Sequence, residues 1–271
     1  MSVWELIPKC SIPRIYRCRG TSGTTGAPTS IFWTQSDWRA LVETMTRLFE
    51  NHKPDIDILA FNGYHQGHAA APAYDDAIRL LGGISIPRHY LLTDDEFSTL
   101  NQLSIFGCNT LIFPERNSSN KRGQTVVDLL QQQRQFFSEY GIQWWLGSRN
   151  LFTKEVRKIA TEQGVVSVTN LYGTSEFGTL GVSCRSRPEE YHLALGNVFV
   201  EVVDKEGLPV MSGERGRIVC TFIFTSYVDG GLGPHEGSQI FRLDIGDEAT
   251  FLDGTCKCGL SSPRIRDICR Y

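Results

Sequence analysis

Residues 21–26 read Thr21-Ser22-Gly23-Thr24-Thr25-Gly26. A run of hydroxyls and glycines makes poor core material. It makes a good anion cradle, because glycine lets the backbone approach a phosphate and hydroxyl and N–H groups donate to it. A flexible linker has the same composition. The flanks are apolar, Ile12-Pro13-Arg14-Ile15-Tyr16 before and Ile31-Phe32-Trp33 after, a pattern that favours a functional loop between structured segments. The Walker-type loop is excluded: Gly26 is followed by Ala27-Pro28-Thr29, with no Gly-Lys pair.

Three further groups carry chemistry. Tyr172-Gly173-Thr174-Ser175-Glu176-Phe177-Gly178 follows an expected strand over Val165–Leu171. Ligands of open α/β sheets bind where strands end at their carboxyl side. A carboxylate there suits a hard cation such as Mg2+ between phosphates, although an ordinary turn with an exposed glutamate has the same residues. Phe241-Arg242-Leu243-Asp244-Ile245-Gly246-Asp247 offers a second carboxylate behind a glycine; alone, Gly-Asp means only a turn. Cys256-Lys257-Cys258-Gly259 places two thiols one residue apart, with Cys184 and His192 upstream. Three thiolates and an imidazole form a closed tetrahedral set suited to structural Zn2+; the alternative is unrelated cysteines and a surface histidine.

Taken in order, these motifs resemble the adenylate-forming (acyl-activating, AMP-binding) enzymes. The first loop is similar to Ser/Thr-Ser-Gly-Thr-Thr-Gly-x-Pro-Lys, with Thr29 at the lysine. The second is similar to Tyr-Gly-x-Thr-Glu, and the third to Arg-Tyr-x-x-Gly-Asp. Pro263-Arg264-Ile265 through Arg270 resembles the family's Pro-Arg-Ile…Ile-x-Gly-Arg, with Cys269 at the glycine. The Cys, His, Cys-x-Cys-Gly order resembles the phenylacetate–CoA ligase-like branch. The resemblance implies that Thr21, Ser22, Gly23, Thr24, Thr25 and Gly26 close over the β- and γ-phosphates of ATP. Tyr172 would stack on adenine, with Gly173 and Thr174 lining the nucleotide. Glu176 would hold Mg2+, and Asp247 and Arg270 would meet the ribose. Cys184, His192, Cys256 and Cys258 would hold a zinc that pins the β-rich subdomain to the segment behind Glu176.

The expected activity is ATP-dependent conversion of a carboxylic acid, an aryl acid by resemblance, to its acyl-adenylate. CoA or a carrier-protein thiol is the implied acceptor. The family's mobile C-terminal domain, with its catalytic lysine, is expected to be missing after Tyr271, as is part of the segment before residue 21. A partner polypeptide supplying that domain is one expectation. The alternative is a catalytically impaired module that binds nucleotide or acyl-adenylate in support of another enzyme.

Elements to position these residues are legible in the spacing. Ser36 can cap a helix with Trp38, Leu41, Val42, Met45 and Leu48 on one face. Strands are expected at 56–61, 84–87, 109–113, 142–146 and 165–171. Helices are expected at 69–81, from Thr93, at 125–140 and at 154–163. That alternation predicts an α/β fold with a mostly parallel sheet flanked by helices over 1–178. Beyond Gly178 the runs 197–203 and 217–224 predict a smaller β-rich subdomain over 179–271, carrying the zinc and ribose motifs. Trp144 and Trp145 read as core.

The net charge of −3, with no basic block, argues against nucleic acid as a partner. No apolar run reaches the ~20 residues of a membrane span, and no basic-then-apolar leader opens the chain, so the cytoplasm is the default. Of eight cysteines, Cys10, Cys18, Cys108, Cys220 and Cys269 are scattered and read as small buried hydrophobes. A homo-oligomer is compatible with the sequence.

Overall fold

The computed structural model describes residues 15–20, 30–64, 70–87, 103–112, 136–148, 154–223, 225–226, 232–233 and 236–271. The hydroxyl-rich loop at 21–29, the histidines at 65, 68, 89 and 235, and most of the helices expected from Thr93 and Thr125 lie outside these residues. The chain forms two compact units: Met1–Thr44 with Tyr172–Tyr271, and Met45–Leu171. The chain passes between them within one helix and one strand.

Two elements precede the first crossing. β1 (Ile15–Gly20) and β2 (Ser30–Thr34) form an antiparallel hairpin. Helix α1 (Gln35–Glu50) follows at once. Its cap is Thr34 rather than Ser36. Asp37 N–H donates to Thr34 Oγ1 at 3.3 Å, and Thr34 N–H donates to Asp37 Oδ2 at 2.9 Å. This is a reciprocal capping box, which satisfies two orphan amides where a lone serine would satisfy one.

The unit Met45–Leu171 is built from β3 (Leu59–Asn62), α2 (Ala70–Leu80), β4 (Ile84–Pro87), β5 (Thr110–Ile112), α3 (Phe136–Glu139), β6 (Trp144–Ser148), α4 (Lys154–Glu162) and the first half of β7 (Ser167–Thr174). Its strands pair in the order β4-β3-β5-β6-β7, all parallel. Fully buried runs such as Thr110-Leu111-Ile112 suit parallel strands covered on both faces. Phe61, Leu111, Phe136, Phe137 and Trp145 form one core cluster. Trp144 is also buried, edge-on to Phe49 at 5.9 Å, and its indole N–H donates to Thr169 Oγ1 at 2.9 Å. Each such side chain contributes about 1.5–3 kcal/mol through removal from water.

The other unit adds β8 (Gly178–Ser183), β9 (Tyr191–Leu193), β10 (Val198–Val203), β11 (Arg215–Phe222), the short pair β12 (Thr225–Ser226) and β13 (Leu232–Gly233), β14 (Leu243–Leu252) and β15 (Arg264–Arg270). Apart from the β12–β13 pair, the strands from β8 on are antiparallel in the order β8-β9-β15-β14-β11-β10. Phe177, Leu180, Val202, Ile218, Phe222 and Ile265 form the core beneath them. The mixed α/β architecture matches the expectation. Of the scattered cysteines, Cys108 and Cys220 are buried as expected, whereas Cys18 and Cys269 are exposed. Cys269 lies on a strand whose neighbours leave its face open, with Arg215 Nη2 at 2.7 Å from its sulfur.

Candidate functional site

β7 runs three residues further than the sequence suggests. Pairing with β8 carries it through Tyr172-Gly173-Thr174, so these residues belong to a strand and not to the loop after it. The turn Ser175–Phe177 joins the two strands. Thr174 Oγ1 accepts the Phe177 amide at 3.2 Å, and the Phe177 ring is buried against Phe222 at 4.7 Å between centroids. At Gly173 a Cβ would lie 2.3 Å from the carbonyl oxygen of Gly178, so only glycine lets the hairpin close. Glu176 therefore stands, half-buried, in a turn fixed from both sides.

Asp247 and Arg270 face one another across β14 and β15. Arg270 Nη1 donates to Asp247 Oδ1 at 3.1 Å and to the carbonyl of Ile245 at 2.8 Å. The Tyr172 hydroxyl donates to the other carboxylate oxygen, Oδ2, at 2.8 Å. Burial pushes the Tyr172 hydroxyl far above the usual tyrosine range, and the neighbouring Asp247 charge and hydrogen bond push it further, so it remains a donor. Cys220 is buried on β11. Burial raises its thiol, and the negative charges of Asp247, Glu201 and Glu176 add to the shift. Each oxygen of Asp247 holds one protein donor and keeps a second lone pair, which is the capacity needed to accept from a vicinal diol.

The second constellation joins the end of β8, β9 and the β14–β15 loop. One ligand atom from each of Cys184, His192, Cys256 and Cys258 lies within 4.8 Å of all the others. Cys184 Sγ and Cys256 Sγ are 3.5 Å apart, and Cys258 Sγ is 3.1 Å from His192 Nε2. Thiolates around a tetrahedral zinc sit about 3.8 Å apart, given Zn–S bonds of about 2.3 Å. The other ring nitrogen, Nδ1, lies 3.1 Å from Ser262 Oγ, the outer contact that orients a ligating imidazole. Burial raises the Cys184 thiol to about 12. Burial also opposes ionisation of Cys256, but the Cys258 amide, the neighbouring thiols and the His192 ring outweigh it and lower this thiol to about 6. The donor set, spacing and outer contact fit zinc.

Tyr172, Asp247 and Arg270 are therefore brought together, as are the four sulfur and imidazole ligands. Gly173, Thr174 and Glu176 adjoin the first group, while Thr21, Ser22, Gly23, Thr24, Thr25 and Gly26 lie outside the described residues. Two features escaped the sequence reading. One is Asp37, whose Thr34-x-x-Asp37 signature was available. The other is the buried ion pair of Arg264 and Glu190, 3.4 Å apart, for which no local signal exists.

No family model matches the chain. Among solved structures it resembles 2-hydroxyisobutyryl-CoA ligase in an open conformation with 2-HIB-AMP and CoA, with a TM-score of 0.75 and 15% identity over 94% of this chain and 57% of that one. It also resembles O-succinylbenzoate coenzyme A synthetase of Bacillus subtilis with ATP and magnesium, with a TM-score of 0.60 and 12% identity over 92% and 49% of the two chains. The fold is that of the adenylate-forming CoA ligases. In sequence, the chain is 25% identical over 271 residues to the phenylacetate-coenzyme A ligase of Thermus thermophilus, covering 95% of this chain and 55% of that protein. The resemblance expected from the motifs is thus found, and the chain spans about half the length of these relatives.

Proposed function

We propose that this chain binds ATP and activates a small carboxylic acid, an aryl acid or a close analogue, as its acyl-adenylate. The observation that carries the reading is the Tyr172–Asp247–Arg270 cluster, an oriented carboxylate with spare acceptor capacity beside an aromatic ring. In this reading Asp247 accepts the ribose hydroxyls, Arg270 flanks them, Tyr172 offers its ring to adenine, and Gly173 and Thr174 line the nucleotide. Thr21 to Gly26 cradle the β- and γ-phosphates. Glu176 would hold Mg2+, which when bound neutralises phosphate charge. A carboxylate oxygen of the acid attacks the α-phosphorus, the bond to the bridging oxygen breaks, and pyrophosphate leaves.

Cys184, His192, Cys256 and Cys258 would hold Zn2+ as a structural pin. CoA or a carrier-protein thiol would take the acyl group, and a partner polypeptide would supply the lysine-bearing domain that steadies the transition-state charge. We further propose a cytoplasmic, small-molecule enzyme with sequence domains at 1–178 and 179–271. Among the described residues no helix is long and apolar enough to cross a membrane. The relatives' complexes with 2-HIB-AMP, CoA, ATP and magnesium support the nucleotide reading.

ATP–pyrophosphate exchange with a panel of acids tests it. Acid-dependent exchange that Asp247→Ala abolishes is the expected result. Failure of the chain to bind any adenine nucleotide overturns the proposal. Thr29 at the family's lysine position favours a second reading, a nucleotide-binding module without turnover. Binding with no exchange, even with partner proteins added, would select it.

A further inference from the structure

Asp247 does not lie on a regular stretch of β14. Val219 and Arg217, two residues apart on β11, face Asp244 and Glu248, which are four apart on β14. The surplus forms a bulge at residues 245–247, which have no register partner on β11; Asp247 pairs with Arg270 on β15. A bulge re-aims a side chain, but it also interrupts the ladder that would hold that side chain still. Other groups must fix it.

Asp244 does so from the first corner of the bulge. Its Oδ1 accepts the Gly246 amide at 2.9 Å, closing a turn two residues long. Gly246 has a φ of 77°, and a Cβ on it would stand 3.3 Å from Arg270 Cζ, so glycine admits both the turn and the arginine. Asp244 is itself held: Oδ2 accepts the Tyr271 hydroxyl at 2.6 Å and Arg217 Nη1 at 3.3 Å. The bond to Asp244 is the main cause that raises the Tyr271 hydroxyl above the usual tyrosine range, so it stays a donor. From β15, Tyr271 N–H donates to the Gly246 carbonyl at 3.4 Å and Arg270 Nη1 to that of Ile245 at 2.8 Å.

We propose that Asp244 is a positioning residue: braced by Tyr271 and Arg217, it clamps the bulge so that the Asp247 carboxylate faces a vicinal diol at a fixed angle. The inference rests on the nucleotide reading above, in which Asp247 accepts the ribose hydroxyls. It assigns Asp244 no contact with the nucleotide; the residue acts through the Gly246 amide on Asp247.

The test reads the ribose alone, as the ratio of ATP to 2′-deoxy-ATP affinity at equilibrium. It is measured on the full chain, wild type, Asp244→Ala, Asp244→Asn and Tyr271→Phe. Asp244→Ala leaves the Gly246 amide without its acceptor, and the ratio should fall from about tenfold to about threefold. Asparagine keeps an oxygen for that amide, so Asp244→Asn should restore the ratio to within about twofold of wild type. Tyr271→Phe removes one brace of Asp244 and serves if Asp244→Ala does not fold; it should lower the ratio by about twofold. An unchanged ratio in Asp244→Ala, including equal weakening of both nucleotides, makes the clamp a general structural feature and overturns the inference. Equal losses in the alanine and asparagine variants overturn it as well, since the charge and not the turn would then be at work. In both cases the nucleotide reading survives. A wild-type chain that binds neither nucleotide removes that reading and this inference with it.

Discussion

The Tyr172 hydroxyl lies 2.8 Å from Asp247 Oδ2, while Arg270 holds the opposite oxygen at 3.1 Å. Two donors from separate strands thus fix one carboxylate in plane. A carboxylate so held has its remaining lone pairs directed, and directed acceptors discriminate between a diol and a single hydroxyl.

Preference for ATP over 2′-deoxy-ATP follows. In the wild type the ribonucleotide should bind about tenfold more tightly, since the missing hydroxyl leaves an acceptor unpaired. Asp247→Ala should reduce that preference to about one, because no acceptor remains to read the diol. Tyr172→Phe removes only the orienting hydroxyl, so it should retain part of the preference. Competition binding with the two nucleotides measures all three. A wild-type chain indifferent to the 2′-hydroxyl would mean that Asp247 does not face ribose.

Gly173→Ala tests the turn that carries Glu176. The added methyl would meet the Gly178 oxygen at 2.3 Å, a backbone atom that cannot rotate away. The hairpin must open, at a cost of about 1–3 kcal/mol. Urea unfolding should show that loss, and acid-dependent pyrophosphate exchange should fall with it. Full stability and full exchange in this variant would show that the hairpin closes differently in solution.

Metal content gives a third test. Purified chain should carry zinc in a one-to-one ratio, and chelation should lower the thermal midpoint. At neutral pH the Cys256 thiol, lowered to about 6, is ionised, whereas the Cys184 thiol, raised to about 12, is not. Zinc uptake must therefore expel the Cys184 proton, so metal affinity should fall as pH falls. In the metal-free chain the two thiols act oppositely. The Cys256 contribution is complete above its unfolded value near 9 and is lost as pH falls through about 6. The Cys184 contribution is complete below about 9 and is lost as pH rises toward 12. Calorimetry in buffers of different ionisation enthalpy counts the released protons. Zinc binding with no proton release would contradict this assignment.

Local chemistry was legible in the sequence, and long-range pairing was not. The apolar stripe Trp38, Leu41, Val42 and Met45 identified α1, and all four side chains are buried. Cys184, His192, Cys256 and Cys258 were legible as a candidate set through the order they share with the resembled branch, since two thiols one residue apart are a weak signal by themselves. The end of β7 was placed too early because nothing within Tyr172-Gly173-Thr174 reveals that β8 returns to pair with it. The union of residues 1–44 with residues 172–271 was equally hidden. It rests on bonds such as Phe32–Ser238 and Asp37–Gly237, made by ordinary residues distant along the chain. Tyr172 and Asp247 were each assigned to the nucleotide by resemblance. Their mutual hydrogen bond required the register of β14 and β15.

The buried pair of Glu190 and Arg264 supplies the last prediction. Both side chains are more than nine-tenths buried, with Arg264 Nη1 3.4 Å from Glu190 Oε2 and Arg187 Nη1 3.1 Å from Oε1. Arg264 pairs across the sheet with His192, and the Glu190 carbonyl accepts the Cys184 amide at 2.7 Å. The ion pair therefore lies against the backbone of two zinc-type ligands. Desolvating both charges costs about as much as their attraction returns, so the pair adds little net stability. Removing one partner is different, because the other charge stays buried and uncompensated. Glu190→Ala should destabilise the chain by about 3–5 kcal/mol, measured by denaturant unfolding. The double variant Glu190→Leu with Arg264→Met should lose less than that single change, since it leaves no stranded charge. Zinc retention should track the same order, with the single variant losing metal first. Equal destabilisation by the single and double variants would mean that shape at this position, and not charge, holds β9 against β15.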